Sequence, residues 1–129
     1  MITDEIIDYC LSKSSAYIDF PFGEIPICLK VGGRLFAQIY PKPEDNKITL
    51  NCDRMTGSVF RNKYPGTVVR GYHCPPIQQP YFNTIYLNGV VPDCEIRAMI
   101  DHSYSTVVAK LTKKGSLGHI DFPKRYWSR

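Results

Sequence analysis

The feature that most constrains this chain is the pair Gly32-Gly33, set between two runs rich in Ile, Val, Leu and aromatic residues, 25–31 and 34–40. Two consecutive glycines reach positive φ without steric cost, and the primed turns that join tightly paired antiparallel strands need that region at both central positions. Branched and aromatic side chains favour the flanking extended backbone. An antiparallel hairpin is therefore expected. A third run, 47–51, prolongs it into a meander after Pro41-Lys42-Pro43-Glu44-Asp45-Asn46, a surface loop whose prolines cannot donate ladder hydrogen bonds.

Around this meander the pattern changes to helical spacing. Thr3 is placed to cap a first helix, with Asp4 and Glu5 at its positive end, Ile6, Ile7, Cys10 and Leu11 in helical register, and an end near Ser14. Asp53 offers the cap of a short inserted helix that carries Met55, Val59 and Phe60 inward, is weakened by Gly57, and stops at Tyr64-Pro65-Gly66. Strands are expected over 67–72 and 84–88, joined by a proline-interrupted loop and ended by Asn88-Gly89. Asp93 is read as the cap of a long last helix in which Ile96, Met99, Ile100, Tyr104, Val107, Val108 and Leu111 share a face and Lys113-Lys114 and Gly115 close the end. The result is an α+β fold: an antiparallel sheet of about five strands, with the N- and C-terminal helices on one face and a short inserted helix. One domain is expected over residues 1–118, with a tail, 119–129, that carries Trp127.

Composition narrows the function classes. With 129 residues, 43% hydrophobic and 22% charged, the chain suits one ordinary soluble domain. Charges such as Lys30, Arg34, Arg70, Asp93 and Asp101 interrupt every apolar run, and the acidic start lacks the pattern of a signal peptide, so a cytoplasmic protein without membrane contact is expected. Cys10, Cys28, Cys52, Cys74 and Cys94 are odd in number and widely spaced, which fits reduced, mostly buried thiols. The net charge of +4 is uneven: residues 1–45 hold 4 basic and 7 acidic side chains, residues 46–129 hold 12 and 5. A basic majority suits a polyanion.

Catalytic patterns are weak. His73 and Cys74 are adjacent, and neighbours in a strand point to opposite faces, so the histidine is not expected to serve the thiol. Asp19 and Glu24 have turn-forming roles available, His102 and His119 are isolated, and Gly32-Gly33 does not lead into a helix as a phosphate loop does. No enzymatic activity, metal or cofactor is expected. The first helix offers only Asp4, Glu5 and Asp8, too few acids for a hard-metal face.

A set of short motifs stands in a fixed order: Asp19-Phe20-Pro21-Phe22-Gly23-Glu24, then Lys30-Val31-Gly32-Gly33-Arg34-Leu35-Phe36-Ala37, Cys52-Asp53, Tyr64-Pro65-Gly66, Gly71-Tyr72-His73, Asn83-Thr84, Leu87-Asn88-Gly89, Val91-Pro92-Asp93, Ser103-Tyr104 and Leu111-Thr112-Lys113-Lys114. In number, order and spacing they resemble the MmcQ/YjbR family over residues 1 to about 115. The resemblance implies a CyaY-like α+β fold and DNA binding through a double-wing arrangement of hairpins. The chain departs from the family at Ile77-Gln78-Gln79-Pro80-Tyr81-Phe82, where relatives carry basic residues and a tryptophan.

On this reading the nucleic-acid-binding groups are Arg54, Arg61, Lys63, Arg70, Tyr72, His73, Tyr81 and Asn83: cations for phosphates, planar groups for bases. The rival is a non-enzymatic module, monomer or weak dimer, that grips a protein partner or small ligand with the Asp19 to Glu24 segment and with Tyr81-Phe82.

Overall fold

A computed structural model describes residues 1–113, so the expected tail, Trp127, His119, Lys114 and Gly115 lie outside the described residues. Three helices, α1 (Thr3–Leu11), α2 (Arg54–Lys63) and α3 (Asp93–Lys113), accompany six strands: β1 (Tyr17–Asp19), β2 (Ile27–Val31), β3 (Arg34–Tyr40), β4 (Lys47–Asn51), β5 (Val68–Arg70) and β6 (Phe82–Tyr86). The sheet is antiparallel throughout, in the order β1-β2-β3-β4-β6-β5. The sixth strand is the addition to the expected five. Three residues are too few to show a period in the sequence, and β1 is held instead by pairing with β2 and by Lys30 donating to Asp19 across the ladder at 2.8 Å.

The hairpin forms as the glycines dictate. Gly32 and Gly33 take φ of 59° and 81°, and a Cβ on Gly32 would come within 2.6 Å of Leu111 Cδ1, so a side chain there would be strained in its backbone and would have to displace the end of Leu111. Below the turn, Leu29 faces Ala37 but Lys30 faces Leu35, which leaves Phe36 as the extra residue of a bulge. The bulge turns the Phe36 ring towards α3, edge-on to Tyr104 with centroids 5.3 Å apart. Ser103 closes the join: its hydroxyl donates to the Phe36 carbonyl at 2.5 Å and accepts from the Asn51 N–H at 2.9 Å. The Ser103-Tyr104 motif therefore holds the fold together.

Strand alternation sorts the rest. Ile27, Ile39, Ile48, Ile85 and Val68 form one row across five strands, on the face covered by Ile6 and Cys10 of α1 and by Ile96, Met99, Ile100 and Val107 of α3. α2 lies on this face too, over β6 and β5, where Arg61 reaches Asn83. The neighbouring rows, Gln38-Thr49-Thr84-Val69 and Tyr40-Lys47-Tyr86, point to the opposite face, which no helix among the described residues covers.

Several local expectations change. Ile2 is the N-cap of α1, Thr3 the first helical residue, and an alkyl side chain cannot accept, so the cap bond runs from the Ile2 N–H to the Glu5 side chain at 3.0 Å. Helix α1 ends at Leu11, before Ser14. In α2 Asp53 does cap, accepting from the Thr56 N–H at 2.7 Å, but Met55 and Val59 are 78% and 57% exposed. Phe60 does pack against the core, and beside it on the inward face is Gly57, where a Cβ would collide with Cys52 Sγ. Asp93 is the first residue of α3, and its carboxylate accepts from the Met1 ammonium at 2.7 Å. The fifth and sixth strands are Val68–Arg70 and Phe82–Tyr86 where the sequence suggests 67–72 and 84–88. Among the described residues no helix is long and apolar enough to cross a membrane.

Candidate nucleic-acid interface

The uncovered sheet face becomes a cleft at the β4-β6-β5 end. Its floor is the Thr49-Thr84 pair, whose hydroxyls bond each other at 2.9 Å and are buried at 3% and 7% exposure. One wall is the row Tyr40-Lys47-Tyr86, with Lys47 Nζ 5.6 Å from the centroid of the Tyr40 ring. The other wall comes from the end of β5 and the turn after it, Arg70, Tyr72 and His73, and Lys42 closes the side. The cleft holds about 340 Å³.

Its lining contains three cations, three phenols and an imidazole, with no carboxylate among the described residues. Lys47 is partly neutralised from outside: Asp45 accepts from it at 2.6 Å, and that hydrogen bond raises the ammonium's pKa. Lys42 and Arg70 are exposed and make no ion pair among the described residues. Burial pushes the Tyr40 phenol up, so it stays a neutral donor and a stacking surface. Two mobile-chain cations beside planar rings over a concave floor can hold phosphate oxygens and offer faces to bases.

The residues singled out from sequence separate into two groups. Arg70, Tyr72 and His73 meet in this cleft, and Tyr81 lies at the end of the same loop, in a 3-10 turn, Gln79–Tyr81. Arg54, Arg61, Lys63 and Asn83 sit with α2 on the helix side. There Arg61 donates to the Asn83 carboxamide oxygen at 2.7 Å, the Asn83 amide donates to the Gly57 carbonyl at 3.2 Å, and Asn83 is 3% exposed. Both groups of that carboxamide are engaged inside the protein. Lys63 pairs with Glu95 of α3 at 3.1 Å, while Arg54 stands exposed at the start of α2. Sequence reasoning missed Tyr40, Lys42, Lys47 and Tyr86. The signal was parity: Tyr40, Lys47 and Tyr86 alternate with Ile39, Ile48 and Ile85, which belong to the core.

On the other side of His73 lies a second cleft of about 400 Å³, lined by Phe22, Leu35, Phe82 and Val107 with Arg34 and Lys110. Cys74 opens into it, its Sγ 3.5 Å from His73 Nε2. The opposite-faces argument fails because residues 73–74 have left the strand: Tyr72 N–H donates to the Arg70 carbonyl and Cys74 N–H to the Gly71 carbonyl, both at 2.8 Å, so the chain is already turning.

Comparison with known proteins bears on the fold and the family. The family model YjbR matches residues 11–106. Among solved structures, a Deinococcus radiodurans protein described as carrying a DUF419 domain is similar at 24% identity and TM-score 0.73, over 88% of this chain and 80% of that one. A Pseudomonas syringae protein is similar at 20% identity and TM-score 0.65, over 80% of this chain and 96% of that one. No curated protein matches the sequence.

Proposed function

The chain belongs to the YjbR family, and from that premise and the basic cleft we propose that it binds DNA, weakly and with little regard to sequence, through backbone phosphates at Lys42, Lys47 and Arg70. One observation carries the reading: three cations converge on a concave, acid-free sheet face between tyrosine rings. Phosphate contacts of this kind fix a nucleic acid in place without reading its bases, and Tyr40, Tyr72 and Tyr86 add surfaces on which any base can stack. No catalytic step is part of this function.

The test is titration of a labelled duplex at two salt concentrations. With two to three phosphates neutralised, the affinity should fall with a log–log slope of roughly −2 to −3. Absence of saturable binding at low salt rejects the reading, and binding indifferent to salt rejects the cations as the contact.

A second reading is favoured by the segment after β1, where Phe20, Phe22 and Ile25 are all exposed. Aromatic groups held out in a turn suit a protein partner. Under this reading Phe22→Ala with Phe20→Ala abolishes partner binding, while under the first it leaves DNA affinity unchanged.

A further inference from the structure

The turn that follows β5 places a thiol and an imidazole together at the mouth of an apolar cleft. Gly71 makes this possible: a Cβ there would meet Phe82 Cβ at 2.7 Å, His73 Cε1 at 3.3 Å and Cys74 Sγ at 3.5 Å, so the glycine leaves the space into which both groups fold. His73 is held edge-on to the Phe82 ring at 6.5 Å, and the Cys74 carbonyl accepts from Gln79 Nε2 at 3.0 Å, which braces the turn from behind. The other described thiols are arranged differently. Cys10, Cys28 and Cys52 are buried, Cys28 and Cys52 against backbone carbonyls, and Cys94 is exposed at the start of α3.

We propose that Cys74 and His73 form a nucleophile and base that capture small anionic α,β-unsaturated carbonyl compounds in the cleft beside them. With the imidazole neutral and its proton on Nδ1, the thiol donates to Nε2. Attack on the β-carbon transfers the thiol proton to Nε2 as the S–C bond forms, and the π electrons move to the carbonyl oxygen as an enolate. The imidazolium returns that proton to the α-carbon. Every atom of both partners is kept, no oxidant enters, and the product is a stable thioether, so the event is a single capture. Phe22, Leu35, Phe82 and Val107 suit an apolar body, and Arg34 and Lys110 suit its carboxylate. Burial raises the Cys74 thiol's pKa, so the uncatalysed thiolate is scarce near neutrality and the base has work to do.

The charged and titratable groups around the pair are Arg34 of β3 and Lys110 of α3 on one side, and Lys42, Lys47 and Arg70 in the neighbouring cleft. They place positive charge on both sides of the pair, which suits an anionic acceptor.

The experiment treats the full chain with trans-3-benzoylacrylate at pH 7, follows adduct formation at Cys74 and Cys94 by peptide mass mapping, and repeats it with the neutral methyl ester. Cys74 should react at least ~10-fold faster than Cys94 and prefer the acid over the ester. His73→Gln should bring Cys74 to within about twofold of Cys94, with Cys94 unchanged as the control for folding. Arg34→Gln should remove the preference for the acid and keep the rate advantage over Cys94. A Cys74 no faster than Cys94, indifference to His73→Gln, or equal reaction with acid and ester each overturns the proposal.

Discussion

Arg61 of α2 donates to the carboxamide oxygen of Asn83 at 2.7 Å, and Asn83 passes the link on to the Gly57 carbonyl at 3.2 Å. A helix and a sheet strand are thereby joined through one buried amide. Removing it takes from the half-buried Arg61 guanidinium its carboxamide acceptor, takes from the Gly57 carbonyl its second donor, and empties a buried site between α2 and β6. Asn83→Ala is expected to destabilise the protein by about 2–3 kcal/mol in urea denaturation. DNA affinity measured on the folded fraction stays at the wild-type value, because the amide is on the far side of the sheet from the basic cleft. A large affinity loss at unchanged stability would reverse that assignment.

Gly57 sits in the same contact, and its missing side chain is what lets α2 lie against Cys52. An added methyl collides with Cys52 Sγ and comes within 3.2 Å of Cys52 Cβ and Arg61 Nη1. Gly57→Ala should therefore cost ~1–3 kcal/mol despite alanine's better helix propensity. Combining it with Cys52→Ala removes the sulfur that is struck, so the double variant should lose less than the two single losses added together. Additive losses would mean that the glycine matters for backbone reasons alone.

These two residues also mark where the sequence was legible. Gly32-Gly33 declares its turn because two adjacent glycines between branched runs have one economical use, and the long helix declares itself through Ile96, Ile100, Val107 and Leu111. Gly57 and Asn83 read ambiguously. A glycine in a helix shows its propensity cost in the sequence, but the sulfur it must admit comes from a residue outside the helix. Met55 and Val59 have the spacing of a buried face, yet that face is taken by the small residue. For the site, Arg70, Tyr72 and His73 were found because they are close in sequence, while Tyr40, Lys47 and Tyr86 come from three strands and meet only once the register is known.

Alkaline pH should weaken the docking of α1 on α3. Tyr9 donates to Asp101 at 2.6 Å and Lys13 forms an ion pair with the same carboxylate. Burial, reinforced by the Asp101 bond, raises the Tyr9 phenol; burial works against the Lys13 ammonium, but its bond to Asp101 prevails and raises it too. Both groups hold their protons more tightly folded than unfolded, so their contribution is complete below their ordinary values, about 10 and 10.4, and declines as pH climbs through the folded ones. The urea midpoint should fall between pH 9.5 and 11.5, and less steeply in Asp101→Asn. Equal slopes in the two proteins would show that the carboxylate is not the cause.

Charge reversal separates the two faces of the sheet. Lys42→Glu with Arg70→Glu turns the two cleft cations that make no ion pair among the described residues into acids beside Lys47, whereas Arg54→Glu with Lys63→Glu places the same change on α2. Both pairs shift the net charge equally, so long-range attraction to a polyanion falls by the same amount, and only local contact distinguishes them. The cleft pair should lower DNA affinity by at least ~100-fold at low salt and flatten the salt dependence by about two units of slope. The α2 pair also breaks the Lys63–Glu95 bridge, which is exposed and contributes little, so its effect should stay within a few-fold. Equal losses from both pairs would point to net charge alone, and a larger loss from α2 would move the interface to the helical face.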